Sequence, residues 1–302
     1  MRRWSLIWAV TLIAAVVSAC GPNPAQRAEI VVTTNILGDV VRNVVGDAAP
    51  VRVLMKPNAD PHSFGVSAQD AAAMSSAGLI VHNGLGLEEN LARNVEGAAG
   101  EGVPTLAVAE LVNPIRYAEG ENSGAFDPHF WTDPQRMIAA VDVVEKAIVR
   151  DVEGIDGAAV SRNAEDYRAK LRALDASMSE GFDTIPVDRR KLVTNHHVLG
   201  YLAQRFGFAV IGAIVPSGTT LAAPSASDLN SLVGAIETAR VPAIFVDSSQ
   251  PERLARVLAE DADVDVRIIS LYSESLSPPG TPAATYLDMM RVNADAIVTG
   301  LR

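Results

Sequence analysis

Residues 158–182 read AAVSRNAEDYRAKLRALDASMSEGF, and this stretch decides how the chain is laid out. Tyr167, Leu171, Leu174 and Met178 recur at spacings of three and four, which aligns them as one apolar stripe along a helix. The stretch makes about seven turns, some 35–40 Å at 1.5 Å per residue. Pro186 ends it. From Pro134 to Phe182 there is only helical pattern, broken around residues 154–157, and no strand. A long helix in this position is expected to act as a stiff strut between two halves rather than as a loose hinge.

On either side of it, short β-branched runs alternate with helical patterns. In the first half the strands are Ile30-Val31-Val32-Thr33, Val51-Arg52-Val53-Leu54, Leu79-Ile80-Val81-His82 and Thr105-Leu106-Ala107-Val108, with helices at 37–45, 68–76 and 88–98. The second half repeats the scheme with Lys191-Leu192-Val193-Thr194, Val210-Ile211-Gly212-Ala213, Ala243-Ile244-Phe245-Val246 and Val266-Arg267-Ile268-Ile269. Strands alternating with helices imply parallel sheets covered on both faces. The expected fold is therefore α/β, with two lobes, each a parallel four-stranded sheet flanked by helices, joined by one long rigid helix. The lobes are expected at 29–154 and 186–302, with the connecting helix at 155–185. The Gly-, Pro- and Ser-rich stretches 216–224 and 275–282 read as loops.

The chain starts with Arg2 and Arg3, continues in an apolar run from Trp4 to Val17 and exits through Ser18-Ala19-Cys20-Gly21. That order reads as a secretory signal, and the run is shorter than the ~20 residues a membrane span needs. Small residues leading into a cysteine resemble the bacterial lipoprotein signal. Residues 1–19 are thus expected to be removed, Cys20 to carry a lipid, and 20–28 to tether the folded part to the membrane. Cys20 is the one cysteine, which excludes a disulfide, a thiolate metal site and a cysteine nucleophile from the folded part. The formal charge is −11, and becomes −13 without Arg2 and Arg3. So acidic a chain argues against nucleic acid, which selects basic surfaces.

Three of the five histidines follow the ends of expected strands. His62 lies in the loop Lys56-Pro57-Asn58-Ala59-Asp60-Pro61-His62-Ser63-Phe64, and His129 lies in Phe126-Asp127-Pro128-His129-Phe130-Trp131-Thr132-Asp133-Pro134, before a helix. His196 follows Leu192-Val193-Thr194-Asn195 and is expected to open the next helix. Open parallel sheets bind ligands outside the carboxyl ends of their strands. Three imidazoles delivered there from separate loops can converge between the lobes and suit zinc or a neighbouring ion, with a carboxylate completing the set. His82 reads as structural. His197, about 100° round a helix from His196, reads as supporting or solvent-facing. For the carboxylate, Asp247 and Glu274 both stand at strand ends, and position does not separate them.

From Ile30 to Leu301 these residues resemble the metal-specific solute-binding lipoproteins of bacterial ABC importers, the cluster A-I zinc/manganese family. Pro61-His62-Ser63-Phe64 is similar to its first-ligand motif, although the usual acidic, proline-rich continuation is here Gly65-Val66-Ser67-Ala68-Gln69-Asp70. Asn83-Gly84-Leu85-Gly86-Leu87-Glu88 resembles its post-strand turn, and Asp127-Pro128-His129-Phe130-Trp131-Thr132-Asp133-Pro134 its second-ligand motif. His196-His197-Val198-Leu199-Gly200-Tyr201 is similar to the third, in which the ligand stands five residues before the tyrosine, and that selects His196. The C-terminal segment Leu271-Tyr272-Ser273-Glu274-Ser275-Leu276 places the carboxylate ligand on Glu274, where aspartate is more usual. The resemblance implies His62, His129, His196 and Glu274 as metal ligands, with Asp60, His197 and Asp247 as candidates for supporting them. It implies a membrane permease and a cytoplasmic ATPase as partners, and a monomer is expected.

Three nitrogens and one carboxylate favour zinc (Zn2+) over manganese (Mn2+), which prefers oxygen-rich surroundings. The histidine-rich loop of many zinc importers has no counterpart in residues 113–125, which contain Glu119 and Glu121 but no histidine. Manganese is therefore the alternative. An exported zinc metallohydrolase is the distant rival. Four protein ligands would close the coordination that a catalytic zinc keeps open, and neither His-Glu-x-x-His nor Gly-x-Ser-x-Gly is present. A carrier of chelated iron or a corrinoid would need a wide aromatic cleft, which seven Phe, three Trp and five Tyr disfavour.

Overall fold

The computed structural model describes residues 29–118 and 122–302; the expected signal, Cys20 and the expected tether lie outside these residues. The first half runs β1 (Ile30–Val32), α1 (Asn35–Val45), β2 (Val51–Val53), α2 (Ala68–Ser76), β3 (Leu79–His82), α3 (Ala92–Gly100), β4 (Thr105–Ala107) and a one-turn α4 (Val108–Leu111). A 3-10 turn at Phe130–Thr132 leads into α5 (Pro134–Asp151) and α6 (Gly157–Asp183). The second half runs β5 (Lys191–Thr194), α7 (Gly200–Phe206), β6 (Ala209–Ala213), α8 (Ala226–Ala239), β7 (Ala243–Asp247), α9 (Arg253–Asp261), β8 (Arg267–Leu271) and α10 (Tyr286–Leu301).

Each half forms a four-stranded parallel sheet, ordered β2-β1-β3-β4 and β6-β5-β7-β8. The two orders are the same, so the winding reverses between β1 and β3 and again between β5 and β7. The central strands β1 and β7 are buried along their whole length, which is why they read as unbroken apolar runs. The helices begin where the chain supplies a cap. Asp133 accepts from the Gln135 N–H with Pro134 in the first turn, Asp156 accepts from the Ala158 and Ala159 N–H groups, and Ser67/Asp70 and Ser225/Asp228 form reciprocal capping boxes.

The 27-residue α6 is the long helix between the lobes. Its face of Val160, Ala164, Tyr167, Leu171, Leu174, Met178 and Phe182 is buried, and the helix lies against α1, α5 and α10. One hydrophobic cluster runs without interruption from Val32 and Val41, through Leu171 and Met178, to Phe245 and Ile297. Smaller clusters around Ile80 and Ile244 fill the outer faces of the two sheets. The lobes therefore share a core across α6. Asp175 on α6 reinforces it, accepting from Arg205 of α7 at 2.6 Å and from Gln135 of α5 at 2.7 Å.

Several boundaries differ from the expectations, most by one or two residues, and three of the differences are instructive. α3 starts at Ala92 rather than 88 because Gly84, Leu85 and Gly86 all take positive φ, and Glu88 is used to accept from the Asn83 and Gly84 N–H groups and the Thr33 hydroxyl. β8 begins one residue late and extends to Leu271. His196 does not open a helix: α7 begins at Gly200, since the His197 N–H is committed to the Ser217 carbonyl at 3.0 Å.

Because the core is continuous, Leu171→Ala should destabilise the whole molecule by about 2–5 kcal/mol, whereas Lys170→Ala on the exposed side of α6 should change stability by no more than about 0.5 kcal/mol. Urea unfolding followed by far-UV circular dichroism checks both, and Leu171→Ala should shift one transition rather than split it in two.

Candidate metal centre

His62, His129, His196 and Glu274 meet between the lobes, two donors from each half, with one ligand atom of each lying within 4.8 Å of the others. All four are at most 1 % exposed. His62 Nε2 stands 3.4 Å from His129 Nε2 and 3.7 Å from Glu274 Oε2, while Glu274 Oε1 stands 3.7 Å from His129 Nε2 and 3.3 Å from His196 Nε2. Four donors placed tetrahedrally at metal–ligand bonds of about 2.0–2.1 Å would lie about 3.3–3.4 Å apart. The observed spacing is thus close to that of a coordination shell. Among the described residues no donor is hydrogen-bonded to either Glu274 oxygen or to His196 Nε2. Buried polar atoms are ordinarily satisfied, so these atoms fit a cation.

Each donor is held by the loop that carries it. In the loop after β2, Asp60 Oδ1 accepts the His62 N–H at 2.9 Å, and ahead of α5 Asp127 Oδ1 accepts the His129 N–H at the same distance. The tripeptide Asp-Pro-His thus occurs twice and folds the same way twice. Asp127 does more, since its Oδ1 also lies 2.8 Å from His129 Nδ1, which fixes the proton there and leaves the Nε2 lone pair facing the centre. Asp60 instead turns its other oxygen to the second lobe, accepting from Thr220 at 2.6 Å and Gln250 at 3.2 Å.

His196 lies in the turn after β5, its Nδ1 3.1 Å from the Asn195 side-chain amide. With the amide turned so that Asn195 Oδ1, otherwise without a partner, accepts from Nδ1–H, the lone pair of His196 also falls on Nε2. Asp247, at the end of β7, lies outside the four-residue group. Its Oδ2 accepts from the Ser273 N–H, the Ser273 hydroxyl and the Glu274 N–H at 3.0, 2.6 and 3.1 Å, and its Oδ1 accepts from Ser249. It anchors the loop that presents Glu274. Trp131 donates its indole N–H to the Ser273 carbonyl at 2.8 Å and ties that loop to the first lobe.

Burial sets the protonation of the cage. It pushes His62 down to about 2, with His129 and His196 adding to the effect. It also lowers His196, to about 4, against the opposing pull of Asp247, Asp60 and Asp127. Glu274 is pushed up to about 8 by burial, opposed by His129 and reinforced by Asp247, Asp60 and Asp127. At neutral pH the metal-free cage therefore holds neutral imidazoles at His62 and His196 and a protonated Glu274.

His82 lies outside the cage at the end of β3, near Glu88 and Glu110, and burial lowers its pKa. His197 is outside the cage too, its ring 6.3 Å from that of Tyr117. Sequence reasoning passed over the orienting roles of Asp127, Asn195 and Trp131. For Asp127 the doubled Asp-Pro-His was the available signal, whereas Asn195 and Trp131 act through contacts that no local pattern announces.

The family profile described as Zinc-uptake complex component A periplasmic (ZnuA) matches residues 30–300. The iron-binding protein YfeA of Yersinia pestis is 28% identical over 91% of this chain and 87% of its own length. The manganese-binding lipoprotein MntA of Halalkalibacterium halodurans is 28% identical over 100% of this chain and 99% of its own. The solved structure of the periplasmic zinc-binding protein TroA from Treponema pallidum superposes with a TM-score of 0.83 at 28% identity, covering 91% of this chain and 99% of that one. The Mn-bound periplasmic metal-binding protein of Candidatus Liberibacter asiaticus does so with a TM-score of 0.79 at 25% identity, with the same coverage. With almost the whole described length matched, the chain belongs to the ZnuA family of zinc-uptake complex component A proteins.

Proposed function

We propose that this protein is the extracytoplasmic solute-binding component of an ABC importer. It captures one divalent transition-metal ion with His62, His129, His196 and Glu274 and hands it to a membrane permease driven by a cytoplasmic ATPase. The observation that carries the reading is the convergence of four buried donors from both lobes, all within 4.8 Å of one another and four of their separations at 3.3–3.7 Å. The ion is cargo, and the site binds rather than catalyses: four protein donors at the lobe interface fill the coordination that an attacking water would need.

Three imidazoles favour zinc. Manganese is the second reading, favoured by the carboxylate, whose two oxygens both face imidazole nitrogens and so can supply a second oxygen donor. The named relatives support the class of cargo and divide over the ion. Cys20 is proposed as the lipid anchor, residues 29–154 and 186–302 as the two lobes, and a monomer as the working form. Among the described residues no helix is long and apolar enough to cross a membrane, so attachment in this reading rests on the lipid.

Competitive titration of Zn2+ and Mn2+ against a chelator tests the reading. His129→Ala should weaken zinc binding by at least about a hundredfold, since it removes one ligand and leaves the others buried, whereas His82→Ala should stay within about threefold because that side chain faces away from the cage. Near-wild-type zinc affinity in His129→Ala would contradict the assignment.

The proton balance gives an independent check. Glu274 is raised to about 8 and must lose its proton to bind a cation, whereas His62 and His196 are already neutral far below pH 6. Zinc binding at pH 7 should thus release about one proton, and affinity should climb by up to about tenfold per pH unit from 6.5 to 8 before levelling. Calorimetry in buffers of different ionisation enthalpy measures this. Glu274→Gln should bind more weakly and release no proton; an affinity that levels at pH 6.5, as ordinary imidazoles would give, contradicts the expectation.

A further inference from the structure

The cage needs a passage, because all four of its residues are buried. On one side of Glu274 the space bounded by Thr34, Pro61, Leu87, Phe130 and Trp131 is too tight for a water molecule. On the His129 side lies a cavity of about 590 Å3 between the lobes, lined by apolar residues such as Ile115, Leu199 and Val210 together with the polar Tyr117, Asp127, Thr194, His197 and Gln204. A divalent ion sheds water at a high cost, and these polar groups are the ones along which it can move. Tyr117 and Asp127 form the partition, since both line the cavity and both reach the His129 ring. Asp127 cannot leave without releasing His129 from its orientation. Tyr117 can.

The Tyr117 backbone is fixed, its N–H donating to the Ala125 carbonyl and its carbonyl accepting from Gly124, both at 3.0 Å, beside the antiparallel bridge of Arg116 with Phe126. The side chain is held through its hydroxyl, which also hydrogen-bonds the Asp127 carboxylate. Its hydroxyl stands 3.3 Å from His129 Nδ1, a nitrogen already engaged by Asp127, and its ring rests against Gly218, where a Cβ would collide with the hydroxyl and the adjoining ring carbons. The cavity beside it has room for the ring to rotate into.

We propose that the Tyr117 ring is the gate between this cavity and the cage, so that its rotation sets the rate at which the cargo ion enters and leaves while the four ligands set the affinity. The proposal rests on the metal-capture reading above. It gives Gly218 a reason as well, because only a residue without a side chain leaves the closed ring its place.

The test uses the full chain and Zn2+, measuring the uptake rate by stopped flow, the release rate into excess chelator, and the equilibrium affinity by competition. Tyr117→Ala should speed uptake and release together by at least about tenfold while the affinity stays within about threefold, as expected of a gate rather than a ligand. Tyr117→Phe, which keeps the ring, should exchange within about threefold of the wild-type rates on the same grounds. Gly218→Ala, which keeps Tyr117 but takes its space, should also accelerate exchange, and serves as the second variant should Tyr117→Ala fold poorly. Wild-type exchange rates in Tyr117→Ala and Gly218→Ala would overturn the proposal. So would an affinity loss with unchanged uptake, which would mean that the ring only positions His129. A wild-type chain that binds no Zn2+ sinks the capture reading itself, and the gate with it.

Discussion

A carboxyl group buried to 1 % exposure, with no protein hydrogen bond to either oxygen, is the constraint on which the rest of this structure depends. Leaving such a group unsatisfied costs on the order of 1–3 kcal/mol when neutral and far more when charged. The protein meets that cost in two ways. Without metal, Glu274 keeps its proton, which its upward shift to about 8 expresses. With a cation at the cage, the carboxylate and the three imidazole Nε2 atoms would gain a partner at once. Two donors come from each lobe, so coordination would bridge the two lobes.

Three further carboxylates make this placement possible without joining it. Asp60, Asp127 and Asp247 each accept a backbone N–H from the residue that carries a donor, namely His62, His129 and Glu274. They serve positioning, yet their charges still act on the cage, raising His196 against the effect of burial and Glu274 together with it. A centre ringed by fixed negative charge in a chain of net charge −11 suits the attraction of a cation. Asp60 also bridges to Thr220 and Gln250, so the loop that carries His62 is tied to the opposite lobe at the rim of the site.

Much of this was legible in the residues, for physical reasons that differ from element to element. Fully buried parallel strands must be apolar on both faces, which made β1, β3 and β7 plain, and α6 declared itself by its stripe from Tyr167 to Met178. The boundaries that slipped were those set by distant partners. Glu88 looked like the start of a helix but serves Asn83, Gly84 and Thr33, and His197 looked helical but gives its N–H to Ser217. The three histidines stood out because each follows a strand end. Glu274 and Asp247 did not separate by position, since both stand at carboxyl ends of neighbouring strands. What distinguishes them is that the Asp247 oxygens are consumed by Ser249, Ser273 and the Glu274 N–H, a fact of tertiary structure that only the resemblance anticipated.

The continuous core across α6 gives the site its mechanical setting. Two lobes sharing hydrophobic side chains from Val32 to Ile297 are poorly suited to a wide hinge opening, so exchange of the ion is better served by local rearrangement at the cage wall. The central claim, that four particular side chains hold one ion, is tested most directly by X-ray absorption at the metal edge of the zinc-loaded protein. The account predicts three imidazole nitrogens at about 2.0–2.1 Å with carboxylate oxygen completing the shell, and loss of one nitrogen in His196→Ala. A shell dominated by water or carboxylate oxygen, or an unchanged one in that variant, would contradict it.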